Sequence, residues 1–177
     1  MEKFSAYSLL AMENRVLIIA LLITFLLGIA GHAYTEEGTP PLPVPRFVTL
    51  GTDEVNVRTG PGLRYPIKFI FNKEGFPVEI IKEFDVWRQI GSRDGDEGWV
   101  HKSLLSGKRA VIITGHIQTL FKSPDNGTKP VVRLEPGVIA ILDRCDNEWC
   151  YLSVASYKGW MKRESLWGVY PDEKFIK

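Results

Sequence analysis

Few side chains beyond residue 35 could do covalent or acid–base chemistry: the imidazoles are His101 and His116, and the thiols are Cys145 and Cys150. Nucleophilic catalysis needs a nucleophile, a base and a group that orients the base. No nucleophile-elbow or comparable motif accompanies either histidine, so no catalytic residues are assigned and the chain reads as a non-enzyme. Asp94, Asp96 and Glu97 hint at a calcium loop, but the run Arg93–Gly98 lacks the fuller series of oxygen ligands and reads as a solvated hairpin turn. Asn126-Gly127-Thr128 has the form of a glycosylation acceptor and reads as a turn. No metal and no cofactor is expected.

What remains is recognition by large rigid side chains. Tyr65, Trp87 and Trp99 form one set of candidate ligand-binding aromatics, and Trp149, Trp160, Trp167 and Tyr170 form another. A small fold also needs large core fillers, and the Gly-Trp pairs at Trp99 and Trp160 recur in a way that speaks for packing. Trp87 and Trp149 stand just beyond polar turns, where one ring face can stay open. Arg58 reads chiefly as a residue that pins a loop, with a ligand carboxylate as the alternative.

The elements that must position these side chains begin with a targeting segment. Val16–Ala30 carries no charge, follows Arg15 and precedes the small residues Gly31-His32-Ala33, the pattern of a signal peptide over residues 1–33. The run is short for a bilayer-spanning helix, so a retained anchor is the alternative, and membrane contact is expected only through this segment if it is uncleaved. Glu2 and Glu13 are unusual in such a leader, and Met12 is a second candidate start. Export to the periplasm or cell envelope puts Cys145 and Cys150 in an oxidising compartment. They bracket a polar turn between two apolar runs, which suits a disulfide across a hairpin, while four intervening residues are too many for a C-x-x-C redox pair.

Net charge is +1, from 22 basic and 21 acidic residues, too weak a field to gather phosphate backbones. Nucleic acid is therefore not an expected partner. Residues 34–46 contain four prolines and no periodicity and read as an extended linker. After it the chain repeats itself. Gly75–Ile81 aligns with Gly137–Asp143 at an offset of 62, and Trp87 falls on Trp149 at the same offset. Gly98-Trp99-Val100 matches Gly159-Trp160-Met161, and the seven residues after each also match.

A repeat of this length with several short strands can close a small barrel on its own. The first holds expected strands Phe47–Leu50, Val55–Arg58, Ile67–Phe71, Pro77–Phe84, Trp87–Ile90 and Gly98–His101. The second holds Ile112–Leu120, Val131–Leu134, Val138–Arg144, Trp149–Val154 and Gly159–Lys162. Turn chemistry separates them, notably Thr59-Gly60-Pro61-Gly62, Asn72–Gly75, Arg93–Asp96 and Asn126-Gly127. The fold class is all-β: two tandem small barrels, residues 47–112 and 113–170, with a tail at 171–177. The connection is too short for a flexible tether, so the two should sit at a fixed angle.

Asn56-Val57-Arg58-Thr59-Gly60-Pro61-Gly62, then Trp87, then Gly98-Trp99-Val100, resembles the bacterial SH3 domain. Residues 118–124 of repeat two depart from the first motif, and Trp149 with Gly159-Trp160-Met161 carries most of its match. The paired arrangement resembles the tandem SH3-like envelope proteins of alphaproteobacteria. The resemblance implies SH3-like barrels and binding, with peptidoglycan peptides, a wall polymer or an envelope protein as partner. The alternative is a structural component of an envelope complex with no wall ligand. Loss of the first motif from repeat two, together with its disulfide, suggests that repeat two supports repeat one.

Overall fold

The computed structural model describes residues 42–176 apart from Asn147, so the expected leader and all but the end of the linker lie outside the described residues. The first barrel contains β1 (Arg46–Leu50), β2 (Val55–Arg58), β3 (Ile67–Phe71), β4 (Pro77–Phe84), β5 (Trp87–Gly91), β6 (Glu97–His101) and β7 (Leu105–Ser106). Its strands hydrogen-bond in the order β3-β2-β6-β5-β4-β1-β7. The second contains β8 (Ala110–Ile113), β9 (Gln118–Phe121), β10 (Pro130–Leu134), β11 (Ile139–Asp146), β12 (Trp149–Val154), β13 (Tyr157–Lys162) and β14 (Leu166–Trp167). Their order, β10-β9-β13-β12-β11-β8-β14, repeats that of the first barrel, and β15 (Phe175–Ile176) adds to β11. The chain is all-β, as expected.

Period-two alternation fills each core. Val55 and Val57 of β2, Val78 and Ile80 of β4, Ile90 of β5 and Val100 of β6 enclose the first core with Leu50. Val111, Ile113, Leu120, Leu142, Leu152 and Met161 stand in the second, with both cysteines beside them. A short 3₁₀ turn follows β6 at Lys102–Leu104 and another follows β13 at Arg163–Ser165, each leading into a two-residue strand.

Several sequence expectations change. The strand expected over Ile112–Leu120 is two strands, because Gly115 turns the chain with φ +75° between β8 and β9. Strand β8 pairs with β11 and β14 and so lies wholly in the second sheet, ahead of a boundary drawn at 112/113. The tail is not a plain extension, since Phe175 lies opposite Cys145 in the β11–β15 pairing. In the loop at 123–128, Gly127 has no left-handed φ. The Asp125 carboxylate accepts from the Gly127 N–H at 2.9 Å, and the Thr128 hydroxyl donates to the Asp125 carbonyl at 2.8 Å.

All four residues of β8 are buried, which one barrel alone does not require. Val111 and Ile113 enter the second core, while Ala110 and Ile112 belong to neither core cluster. Phe47 and Thr49 of β1 are likewise buried outside both cores. The Phe47 ring meets Trp167 edge-on at 5.1 Å and Tyr170 at 4.7 Å, so these residues form the seam between barrels.

The stretch after β14 straps the seam. Arg109 pairs with Glu173 and donates to the Gly168 carbonyl at 2.9 Å, and its guanidinium lies 5.1 Å from the Phe175 ring centroid. Arg163 donates to the carbonyls of Tyr170 and Pro171. The Tyr170 hydroxyl reaches Glu79 of β4 in the other barrel.

Candidate binding face

The motif Asn56–Gly62 is a scaffold device. Val57 is buried, and Arg58 donates to the Tyr65 carbonyl at 2.8 Å and the Leu63 carbonyl at 3.4 Å, pinning the loop as its position suggested. The Tyr65 ring lies so close over Gly60 that a Cβ there would meet it at 2.5 Å, and the Arg64 guanidinium sits 5.1 Å from the same ring centroid. Tyr65 is half-buried and engaged within its own loop.

The recurring Gly-Trp pair also has a physical origin. Strand β2 crosses β6 where Arg58 opposes Trp99, and β9 crosses β13 where Phe121 opposes Trp160. A Cβ on Gly98 would approach the Val57 Cγ1 at 2.4 Å and the Arg58 carbonyl oxygen at 2.9 Å; on Gly159 it would approach the Phe121 carbonyl oxygen at 2.8 Å. Glycine permits the close crossing that closes each barrel, and the next residue is turned to the outer face.

These outer faces differ. In the first barrel, Trp87 and Gln89 of β5 lie opposite His101 and Trp99 of β6. Trp87 meets the His101 ring edge-on at 5.7 Å, and Gln89 donates to Glu97 at 3.1 Å. The second barrel places Trp149 and Tyr151 of β12 beside Lys162 and Trp160 of β13. Phe121 takes the place of Arg58 and Tyr151 that of Gln89. Phe121 and Trp149 meet edge-on at 6.2 Å, Tyr151 and Trp160 at 5.2 Å, and the Arg144 guanidinium stands 4.9 Å from the Tyr151 centroid and 5.0 Å from that of Trp160. The result is one contiguous, half-buried aromatic strip with a cation over it.

All five tryptophans are half-buried, so none is a fully enclosed core filler. Trp149 and Trp160 share the strip. Trp87 and Trp99 share the more polar face of the first barrel. Trp167 and Tyr170, expected in the second binding set, instead pack on Phe47 at the seam, where a sequence repeat gives no sign of a partner from the other module. Phe121 and Tyr151 were not among the expected site residues. One signal pointed to Tyr151, since Trp149-x-Tyr151 spacing puts both rings on one face of a strand; Phe121 falls on Thr59 at the repeat offset of 62, and only the pairing of β9 with β13 sets it where Arg58 stands in the first barrel.

Cys145 and Cys150 form the expected disulfide and are cross-strand partners in the β11–β12 hairpin. Both are buried directly behind the strip. Among the described residues no cluster of three metal-ligating side chains occurs. His101 Nδ1 lies 2.7 Å from the Ser103 hydroxyl and accepts from the Ser103 N–H at 3.3 Å. That arrangement caps the adjoining 3₁₀ turn.

The profile for the bacterial SH3 domain matches twice, at residues 51–107 and 115–168. The chain belongs to this family. Its first match spans β2–β7 and its second β9–β14, each with one Gly-Trp crossing. A relative in Bacillus subtilis (strain 168), named "Putative N-acetylmuramoyl-L-alanine amidase YrvJ", is 31% identical over 126 residues. That alignment covers 65% of this chain and 24% of the relative, so the chain spans about a quarter of that protein. Among solved structures, NlpC2 from Trichomonas vaginalis aligns with a TM-score of 0.34 at 12% identity, over 76% of this chain and 52% of that one. NlpC1 from the same organism aligns with a TM-score of 0.31 at 13% identity, over 72% and 47%.

Proposed function

We propose that this bacterial SH3 protein is a non-catalytic, exported adaptor of the cell envelope that holds peptidoglycan peptides on the outer face of its second barrel. The observation that carries this reading is the contiguous strip Phe121-Trp149-Tyr151-Trp160 with the Arg144 guanidinium over two of its rings. Aromatic faces supply rigid contact area, and the cation suits the carboxylates that wall peptides carry. The relative named as a wall amidase supports the same ligand class. The disulfide supports an oxidising, extracytoplasmic location. On this reading the second barrel is the binding module, reversing the sequence expectation that it supports the first.

Co-sedimentation of the chain with insoluble peptidoglycan tests the reading. Saturable binding that is lost in folded Trp149→Ala and Trp160→Ala, and kept in Trp87→Ala, is the expected result. Equal binding by all variants moves the site elsewhere, and no binding by wild type rejects a wall ligand. A second reading, an assembly component that docks as one rigid body, draws on the seam at Phe47, Trp167 and Tyr170.

A further inference from the structure

Strand β12 carries Trp149, Tyr151 and Ser153 on its outer face, with the buried Cys150 and Leu152 between them. Four residues of strand cover about 13 Å, so the aromatic strip continues as a track toward Ser153. There the Ser153 hydroxyl donates to Asp143 at 2.5 Å, and its cross-strand partner Ile141 is 54% exposed, a large apolar side chain that neither core uses. Ile141 and Ser153 are also part of the wall of a cleft of about 680 Å³ between the barrels. Its far wall comes from the first barrel, with Lys73 and Glu74, and from the connection between barrels, with Lys108; Phe175 of the strap lines the near side.

We infer that the aromatic strip and the inter-barrel cleft are two ends of one binding track, and that its ligand is an extended, carboxylate-bearing peptide longer than either end alone accommodates. The inference rests on the wall-peptide reading above and deepens it. Charge supports the assignment: Arg144 stands over the strip and Lys73 and Lys108 line the cleft, and among the described residues none of the three joins an ion pair. Glu74 gives the cleft one position for a ligand amine. The track has a fixed shape because the Tyr170–Glu79 hydrogen bond and the packing of Phe47 on Trp167 and Tyr170 hold the barrels together, so binding does not have to order the two walls. Cross-linked wall peptides have the required length and carboxylates.

The test uses the full chain and three soluble probes from muramidase- and amidase-treated wall: single disaccharide-peptides, peptide-cross-linked dimers, and glycan freed of peptide. Wild type binds dimers about tenfold more tightly than single units, because the second segment binds at high effective concentration. Lys108→Glu and Ile141→Glu alter exposed side chains and leave the melting transition unchanged, yet bring dimer affinity down to single-unit affinity. Trp160→Ala weakens both probes. If the cleft variants bind dimers as wild type does, the track is wrong and the aromatic face alone remains. If Trp160→Ala binds both probes as wild type does, the wall-peptide reading falls and the track with it. Peptide-free glycan that competes as well as dimers overturns the peptide occupant.

Discussion

The Tyr170 hydroxyl donates to the Glu79 carboxylate at 2.6 Å, joining a turn that follows the second barrel to β4 of the first. Tyr170→Phe keeps the ring against Phe47 but leaves that carboxylate oxygen without its donor. A loss of about 1.5 kcal/mol is expected, as for a hydrogen bond to a charged group, and denaturant unfolding measures it. Phe47→Ala, which removes the ring contacts with Trp167 and Tyr170 and leaves that hydrogen bond its partners, should cost more, about 3 kcal/mol.

The same bond predicts an alkaline limit. Burial, then the hydrogen bond to Glu79 and its charge, push the Tyr170 pKa above its ordinary value of 10.0. Its contribution to stability is therefore complete below pH 10 and declines above it, as the unfolded chain ionises first. Melting temperatures measured from pH 8 to 11.5 should fall less steeply in Tyr170→Phe than in wild type.

Acid acts on the strap from the other side. Burial works against the Glu173 carboxylate, but the hydrogen bond from Arg109, helped by the Tyr170 N–H, outweighs it and holds the group below the ordinary 4.5. Glu83 is also held low, first by its hydrogen bond from Arg46. Both contributions are present above pH 4.5 and are lost as pH falls through the folded values. Glu173→Gln should flatten the fall in melting temperature between pH 5 and pH 2.5, and an unchanged slope would show that the strap carries no linked charge.

At the barrel crossings, Gly98→Ala and Gly159→Ala each push a methyl group against a carbonyl oxygen of the crossing strand, at 2.9 and 2.8 Å. Overpacking of this kind costs about 1–3 kcal/mol. Hydrogen exchange should place the damage in the barrel that carries the substitution.

Much of the architecture could be read from the residues. The two repeats, the cross-strand cysteines, the turn at Gly95 with φ +87° and the pinning role of Arg58 all rest on local chemistry, which a sequence displays directly. The seam could not be read in this way. Phe47, Ala110 and Ile112 look like ordinary strand residues, and only the docking of two barrels explains why β8 is buried on both faces. Trp167 and Tyr170 have the composition of a binding site and serve as packing, because residue type does not say which surface a ring will meet. Phe121 and Tyr151 had the opposite fate: they stand where the first repeat has Arg58 and Gln89, and their meaning emerges only once strands β9, β12 and β13 lie side by side.

The strap follows both barrels in the chain. The polypeptide is made from its N-terminus, so strands β1–β14 exist before Tyr170 arrives to join Glu79 and before Phe175 arrives to line the cleft. A chain cut short after Trp167 keeps the residues of the aromatic strip but lacks that hydrogen bond and that part of the cleft wall. On the proposed track, engagement of a long ligand is thereby deferred until synthesis has passed Phe175.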